Sequence, residues 1–93
     1  MKHEIKLSED FADAVYSGEK SFEVRENDRG YQKGDLVRFS VVDRAARLPV
    51  NHPLNECEFE ITYVLNGWGV DLGYCVFSIK KKRCDEYPLP WDE

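Results

Sequence analysis

The hydrophobic and polar positions near the start of the chain predict one short strand followed by one helix. Residues 3–7 alternate polar and apolar side chains, as a strand with one buried face does. Over residues 9–17 the apolar spacing changes to three and four, which predicts a helix of about two to three turns. Ser8 is suited to cap its first turn and Gly18 to end it. The buried stripe of this helix is expected to comprise Phe11, Ala14 and Val15.

From residue 21 the apolar positions recur every second residue, which predicts strands. Phe22 and Val24 are expected to face the core, and the polar residues beside them to face the opposite side; these are Ser21, Glu23 and Arg25. Further strands are predicted at residues 36–42, 57–65 and 74–80. In the second of these the residues expected to face inward are Cys57, Phe59, Ile61, Tyr63 and Leu65.

Together the segments predict one domain of the α+β class that is mainly β. About five strands joined by short connections are expected to be mostly antiparallel and to curl into a small β-barrel, with the N-terminal helix across an opening. Residues 44–56, which contain two prolines, are expected to form a long loop. The domain is assigned to residues 1–83. Residues 84–93 form a C-terminal tail that is either flexible or packed on the barrel through Tyr87 and Trp91.

The charge of the chain narrows the classes of partner. Its 93 residues carry a net charge of −5, which is the wrong sign for a broad basic surface that binds nucleic acid. Any nucleic acid is therefore expected to bind in a local pocket. The sequence has no apolar run long enough to span a membrane and no signal-peptide pattern, so the protein is expected in the cytoplasm.

The cysteines and histidines predict neither a metal site nor a cofactor. Three cysteines at wide spacing, Cys57, Cys75 and Cys84, are expected to be reduced thiols. Neither His3 nor His52 lies at metal-ligand spacing from a cysteine.

A charged cluster around residue 23 is the main candidate for a ligand site. Glu23 can accept a hydrogen bond from an exocyclic amine, and Arg25 offers a planar fork for a carbonyl or phosphate. Lys20 adds a mobile positive charge just after the helix. The alternative is a surface salt-bridge cluster with little effect on stability.

These residues resemble a family motif. The spacing Gly-x-Lys-x-x-Glu-x-Arg is matched by Gly18, Lys20, Glu23 and Arg25. With the helix before it, the Gly34-Asp35 turn and the final GYCVFSIK strand, the chain resembles the small ASCH domains of bacteria and phages, in the PUA-like superfamily, over residues 3–80. The resemblance implies a PUA-like barrel with a cleft between helix and barrel. Relatives bind RNA or modified nucleosides there, and one branch hydrolyses the amide of N4-acetylcytidine.

Two functions therefore compete at this site. The first is a binding module for RNA or a modified nucleoside. The second is an amidohydrolase that uses Lys20 and Glu23 as base and acid. The hydrolytic relatives carry a threonine nucleophile three residues after the lysine, where this chain has Glu23. Ser21 replaces that hydroxyl only if the backbone shifts, so binding is the preferred hypothesis and catalysis stays open.

A protein-interaction or regulatory module is a third hypothesis. It would use an outward acidic row, Glu56, Glu58 and Glu60, although outward strand positions are commonly charged for solvation alone.

Two aromatic residues are further ligand-binding candidates. Tyr31 and Trp68 can stack on a base, or they can close the end of the barrel. The sequence leaves the oligomeric state open.

Overall fold

The computed structural model describes residues 1–85 and contains, within them, one α-helix, five strands and one 3₁₀ turn. In chain order these are β1 (Lys2–Ser8), α1 (Glu9–Ser17), β2 (Phe22–Glu26), β3 (Leu36–Val42), the 3₁₀ turn (Pro53–Glu56), β4 (Cys57–Leu65) and β5 (Tyr74–Cys84). The α+β, mainly β class predicted from the sequence is confirmed. No helix in the described part of the chain is long and apolar enough to cross a membrane.

The five strands form one sheet in the order β1-β3-β4-β5-β2. β1 pairs with β3 in parallel, and the other three pairings are antiparallel, as the short connections predicted. β1 and β2 are the two edges of the sheet, because they stand at the ends of this order. The sheet curls into a half-barrel. Residues of both edges line the same depressions, which places an open seam between these two strands.

The inner face of the half-barrel holds the hydrophobic core. Alternate residues of β1, β3, β4 and β5 are buried there, and α1 packs against β1, β3 and the 3₁₀ turn. Among the core residues are Ile5, Leu7, Val37, Phe39, Phe59, Ile61 and Phe77. On the helix the buried residues are Ala12 and Val15, whereas Phe11 is half exposed. The predicted stripe is therefore wrong at Phe11, whose ring lies beside the Lys20 ammonium at 5.4 Å.

The faces of β2 are the reverse of those predicted. Glu23 is only 2% exposed, whereas Phe22 and Val24 are 45% and 56% exposed. The pairing with β5 sets this orientation, because Glu23 lies opposite Phe77 and thus on the inner face. Alternation fixes which residues share a face but not which face is inside. Here the inner side of an edge strand borders the open seam and is polar.

β4 also departs from its predicted alternation. The pairing with β5 shifts register between Ile61 and Tyr63, so a bulge at this point turns Tyr63 to the outside. At the other end of the strand Glu58 is buried and lies 3.6 Å from the Arg83 guanidinium. The predicted outward row of glutamates is therefore wrong at Glu58, and Glu56 belongs to the 3₁₀ turn, not to the strand. That turn also interrupts the predicted loop at 44–56.

The cysteine prediction is wrong for two of the three residues. Cys57 and Cys84 lie opposite each other in the β4–β5 ladder and form a disulfide. Their pairing depends on the strand register, which the spacing in the sequence does not reveal. Cys75 is a free, buried thiol, as predicted. Tyr87 and Trp91, which the tail prediction concerned, lie outside the described residues.

Candidate functional site

The end of α1 sets the position of Lys20. Gly18 adopts a left-handed conformation with φ of 88°, and its N–H donates to the Val15 carbonyl at 3.2 Å. The Lys20 N–H then donates to the Ala14 carbonyl at 2.9 Å. These two bonds turn the chain sharply into β2, so the Lys20 side chain points back over the first residues of that strand.

A buried carboxylate lies between two cations at this turn. Glu23 Oε1 accepts a hydrogen bond from Arg25 Nε at 2.9 Å, and Arg25 Nη2 lies 2.8 Å from the same oxygen. Glu23 Oε2 accepts from Lys20 Nζ, which also donates to the Phe22 carbonyl at 2.8 Å. The Glu23 side chain is 3% exposed, whereas those of Lys20 and Arg25 are 20% and 24% exposed. The cations therefore keep donors that a ligand can reach.

This triad forms the floor of an open depression of about 370 Å³, called here the Glu23 cleft. β1, the start of α1, β2 and the β3–β4 connection contribute its walls, with Lys6, Leu7, Ser8, Phe11, Lys20, Glu23, Val24, Arg25 and Arg47 as its lining. Four of these side chains are cationic and one is a carboxylate. An acidic protein thus concentrates positive charge in one cleft.

A second depression, the Tyr31 cleft, adjoins the first and shares Lys6 and Arg25 with it. Its volume is about 500 Å³, and its charges balance, because Glu4, Glu26 and Asp28 face Lys6, Arg25 and Arg29. The Tyr31 ring lies in its wall and packs against the rings of His3 and Phe77, both with centroids at 4.7 Å. Burial raises the pKa of the Tyr31 phenol despite the nearby Arg29 and Arg25, so the phenol is neutral at physiological pH.

The structure brings three of the six candidate residues together. Lys20, Glu23 and Arg25 meet in the Glu23 cleft, and Tyr31 lies in the adjoining one. Ser21 is exposed and its carbonyl accepts from the Ile79 N–H, and it lines neither cleft.

Trp68 lies apart from the other candidates. It is in the β4–β5 connection, is 91% exposed and lines neither cleft.

Two cleft residues were missed by the sequence analysis. Lys6 lies at an exposed position of β1 that no motif included, and Arg47 lies in the segment that was predicted to be a long loop. Arg47 has a φ of 59°, and Asp43 fixes its turn, because Asp43 Oδ1 accepts from the N–H groups of Ala46 at 2.6 Å and Arg47 at 3.0 Å. Asp43 itself was the available signal, because an aspartate side chain commonly accepts from backbone N–H groups in a turn.

A buried histidine–aspartate pair lies behind the Tyr31 cleft. His3 Nε2 lies 2.8 Å from Asp35 Oδ2, which also accepts from the Gln32 N–H at 3.1 Å. Burial raises the pKa of Asp35, but the hydrogen bonds from His3, from Gln32 and from the amino group of residue 1 outweigh it and lower the pKa below its ordinary value. Because the ionised carboxylate only accepts, His3 donates from Nε2. This pair ties β1 to the turn before β3.

No cluster of three or more potential metal ligands occurs among residues 1–85. The candidate site thus consists of hydrogen-bonding and charged groups, with the Glu23 triad at its centre.

Comparison with protein families adds one assignment. A family model described as a domain of unknown function, DUF3850, matches residues 2–79. The protein belongs to the DUF3850 family. The match covers α1, the strands β1 to β4 and the first half of β5. The Glu23 and Tyr31 clefts therefore both lie within the DUF3850 domain. No curated protein matches the chain.

Proposed function

We propose that this DUF3850 protein is a binding module that recognises RNA or a modified nucleoside in the Glu23 cleft, and that it is an ASCH-like member of the PUA-like superfamily. The observation that carries the proposal is the buried Glu23 carboxylate held between Lys20 and Arg25 at the floor of an open cleft. Its support from sequence is the Gly18, Lys20, Glu23 and Arg25 spacing, which resembles the ASCH motif.

The triad has the polarity that a nucleobase edge requires. Glu23 is fixed by Lys20 and Arg25, so its orientation does not have to be set when a ligand arrives. A carboxylate oxygen accepts from an exocyclic amine, such as N4 of cytosine, while the free donors of Arg25 suit a carbonyl next to it. Phe11 and Val24 supply apolar contact for the face of a base.

A structural role for the triad explains it less well. Burying a carboxylate costs several kcal/mol, roughly, and an ion pair repays this cost only when its geometry is excellent. An apolar residue at position 23 would pack directly beside Phe77 without that cost. Retaining a charged triad on the floor of a cleft is typical of a site that needs the charge.

The positions of two serine hydroxyls, those of Ser21 and Ser8, favour binding over hydrolysis. Ser21, the substitute nucleophile, does not line the cleft. The serine that does, Ser8, caps α1, and its Oγ accepts from the Asp10 N–H at 3.3 Å. An activated nucleophile needs a hydroxyl beside a base, and Glu23 has no such partner among the residues of the cleft.

The acidic-module hypothesis is less well supported, because the three glutamates that it needs are not fully exposed. Glu58 is buried beside Arg83, and Glu56 and Glu60 are both partly buried. These three residues therefore do not form the continuous exposed row that a nucleic-acid mimic needs.

Calorimetric titration of the purified protein tests the proposal. The ligands are cytidine, N4-acetylcytidine and a short single-stranded RNA. We expect Glu23→Gln to weaken binding by about tenfold or more, because the amide replaces an acceptor oxygen with a donor. Glu19→Gln, an exposed neighbour outside the cleft, is the matched control.

Chromatography of the N4-acetylcytidine mixture separates binding from hydrolysis. We expect no conversion to cytidine. Conversion that Lys20→Ala abolishes would contradict a pure binding role, and equal affinities in wild type and Glu23→Gln would contradict recognition through Glu23.

A further inference from the structure

We propose that Lys6 and Arg47 bind a phosphate group, so that the ligand of the Glu23 cleft is phosphorylated, as a nucleotide or as the phosphodiester of RNA. This inference deepens the proposed function, because it names a second anchor in the same cleft. Nothing in the sequence motif includes either residue.

The first support is the distribution of charge among the three neighbouring depressions. In the Tyr31 cleft three cations face three carboxylates. In a third depression along β3, of about 440 Å³, the charges are Lys6, Arg38 and Arg47 against Glu4. The Glu23 cleft has four cations and only Glu23, so the largest excess of positive charge lies there.

The second support is that the charged groups of Lys6 and Arg47 are unpaired within residues 1–85. The single negative charge of Glu23 already lies between the two positive charges of Lys20 and Arg25, so it does not neutralise another cation. Among the described residues neither the Lys6 ammonium nor the Arg47 guanidinium has a salt bridge or a hydrogen-bonded partner, whereas Arg38 is paired with Asp85. A lysine and an arginine that line one cleft, both unpaired within residues 1–85, are groups that phosphate recognition commonly uses.

The surrounding carboxylates do not cancel this charge. Glu9 and Asp10 begin α1, and both are engaged by Arg44, through its N–H at 3.3 Å and its guanidinium at 3.7 Å. Glu4 lies on the same side of β1 as Lys6 but lines the other two depressions, not the Glu23 cleft. A phosphate between Lys6 and Arg47 would thus meet donors, with Glu23 held deeper in the cleft.

The geometry also separates a base subsite from a phosphate subsite. Lys6 and Arg47 both line the third depression as well as the Glu23 cleft, so they stand on the rim between the two. The triad is on the floor. A base in contact with Glu23 would place its sugar toward the rim, where the phosphate meets Lys6 and Arg47.

The test compares cytidine, cytidine 5′-monophosphate (CMP), the dinucleotide CpC and inorganic phosphate, by calorimetry at low salt. We expect CMP or CpC to bind at least about tenfold more tightly than cytidine. Lys6→Gln and Arg47→Gln should each remove most of that difference. Tighter binding of CMP than of CpC indicates a terminal phosphate, and the reverse order a phosphodiester.

The matched controls are Lys2→Gln on the same strand and Lys33→Gln in the β2–β3 connection, both exposed and outside the Glu23 cleft. If CMP, CpC and cytidine bind equally, the phosphate site is wrong and nucleoside recognition stands. If the control variants weaken CMP or CpC as much as Lys6→Gln does, the effect is a diffuse field and the phosphate site is again wrong. If cytidine does not bind but phosphate binding depends on Lys6 and Arg47, the phosphate site stands and nucleoside recognition fails. Absence of any binding overturns both.

Discussion

At the scale of single residues, Glu23 is the most unusual side chain of the described protein. It is buried on the inner face of an edge strand, opposite Phe77, and both of its oxygens are bound to cations. Those cations are partly exposed, so they remain solvated if the carboxylate is removed. If Glu23 recognises a ligand as proposed, stability and recognition favour different residues at this position.

Replacing Glu23 by leucine tests this conflict. Because an apolar residue removes the cost of a buried charge and packs beside Phe77, we expect Glu23→Leu to lower the free energy of unfolding by no more than about 1 kcal/mol, or to raise it. The same variant should lose ligand binding. Urea denaturation gives the stability; a loss above about 3 kcal/mol would show that the triad is required for folding.

Asp35 is expected to contribute to the acid sensitivity of the fold. Its pKa is lower in the folded protein than in the unfolded chain, so its contribution to stability is complete above the ordinary aspartate pKa and is lost as pH falls through the folded pKa. We expect the wild type to lose stability below about pH 4, in part through Asp35. Asp35→Asn should be less stable at pH 7 and should lose less on acidification.

Denaturation at a series of pH values checks this expectation. Asp71→Asn, in the exposed β4–β5 connection, is the control and should follow the wild type. An Asp35→Asn variant whose stability falls in parallel with the wild type below pH 4 would show that other groups set the acid sensitivity.

At the scale of elements, the sequence predicts where strands lie better than how they face. The helix at Glu9–Ser17 and the strands near residues 36, 57 and 74 were all predicted, because Ser8, Gly18 and the two-residue period are local signals. The faces of β2, the bulge in β4 and the disulfide were not. Each depends on register against β5, which is a contact between distant residues.

The reversal of β2 has a measurable consequence. The outer side of the sheet carries Phe22 and Val24. In the ladder Phe22 lies opposite Ser78, which pairs with Tyr63, and Val24 lies opposite Val76, which pairs with Leu65. Because Phe22 is half exposed, we expect Phe22→Ala to lower the free energy of unfolding by about 1 kcal/mol or less. Phe77→Ala, at a fully buried position, should cost about 3–5 kcal/mol.

Chemical denaturation of the two variants compares these costs directly. Equal losses would restore the arrangement predicted from the sequence, with Phe22 in the core and Glu23 outside. The same pairwise comparison applies to Val24→Ala and Val37→Ala, because Val37 is fully buried.

The part of the candidate site that was predicted from the sequence is the part whose residues are close together along the chain. Lys20, Glu23 and Arg25 lie close together in sequence, so their meeting was expected. Lys6 reaches the Glu23 cleft because β1 and β2 face each other across the seam of the half-barrel, and Arg47 reaches it from the β3–β4 connection. Their roles could not be seen from local spacing.

At the scale of the whole molecule, one covalent bond holds the ends of the longest hairpin. The Cys57–Cys84 disulfide joins residues 27 apart in sequence and ties the start of β4 to the end of β5. Restricting a loop of that length in the unfolded chain stabilises the fold by about 3 kcal/mol.

Reduction is therefore expected to lower the melting temperature. A thiol assay on the unfolded, unreduced protein should find one free thiol, that of Cys75, and three after reduction. Cys75→Ser is the control that leaves the disulfide intact. Three thiols without reductant, or a melting temperature that reductant does not change, would show that the disulfide does not hold the hairpin.

At this scale the proposed ligand site is the Glu23 cleft, which lies at the open seam of the half-barrel. NMR titration of the labelled protein with cytidine and CMP tests this most directly. The predicted result is saturable shifts confined to the Glu23 cleft, at Lys20, Glu23 and Arg25 for cytidine and also at Lys6 for CMP. In Glu23→Gln the cytidine titration should show an affinity lower by about tenfold or more. Shifts confined to Trp68 and the β4–β5 connection, or no saturable shifts with either ligand, would contradict recognition in the Glu23 cleft.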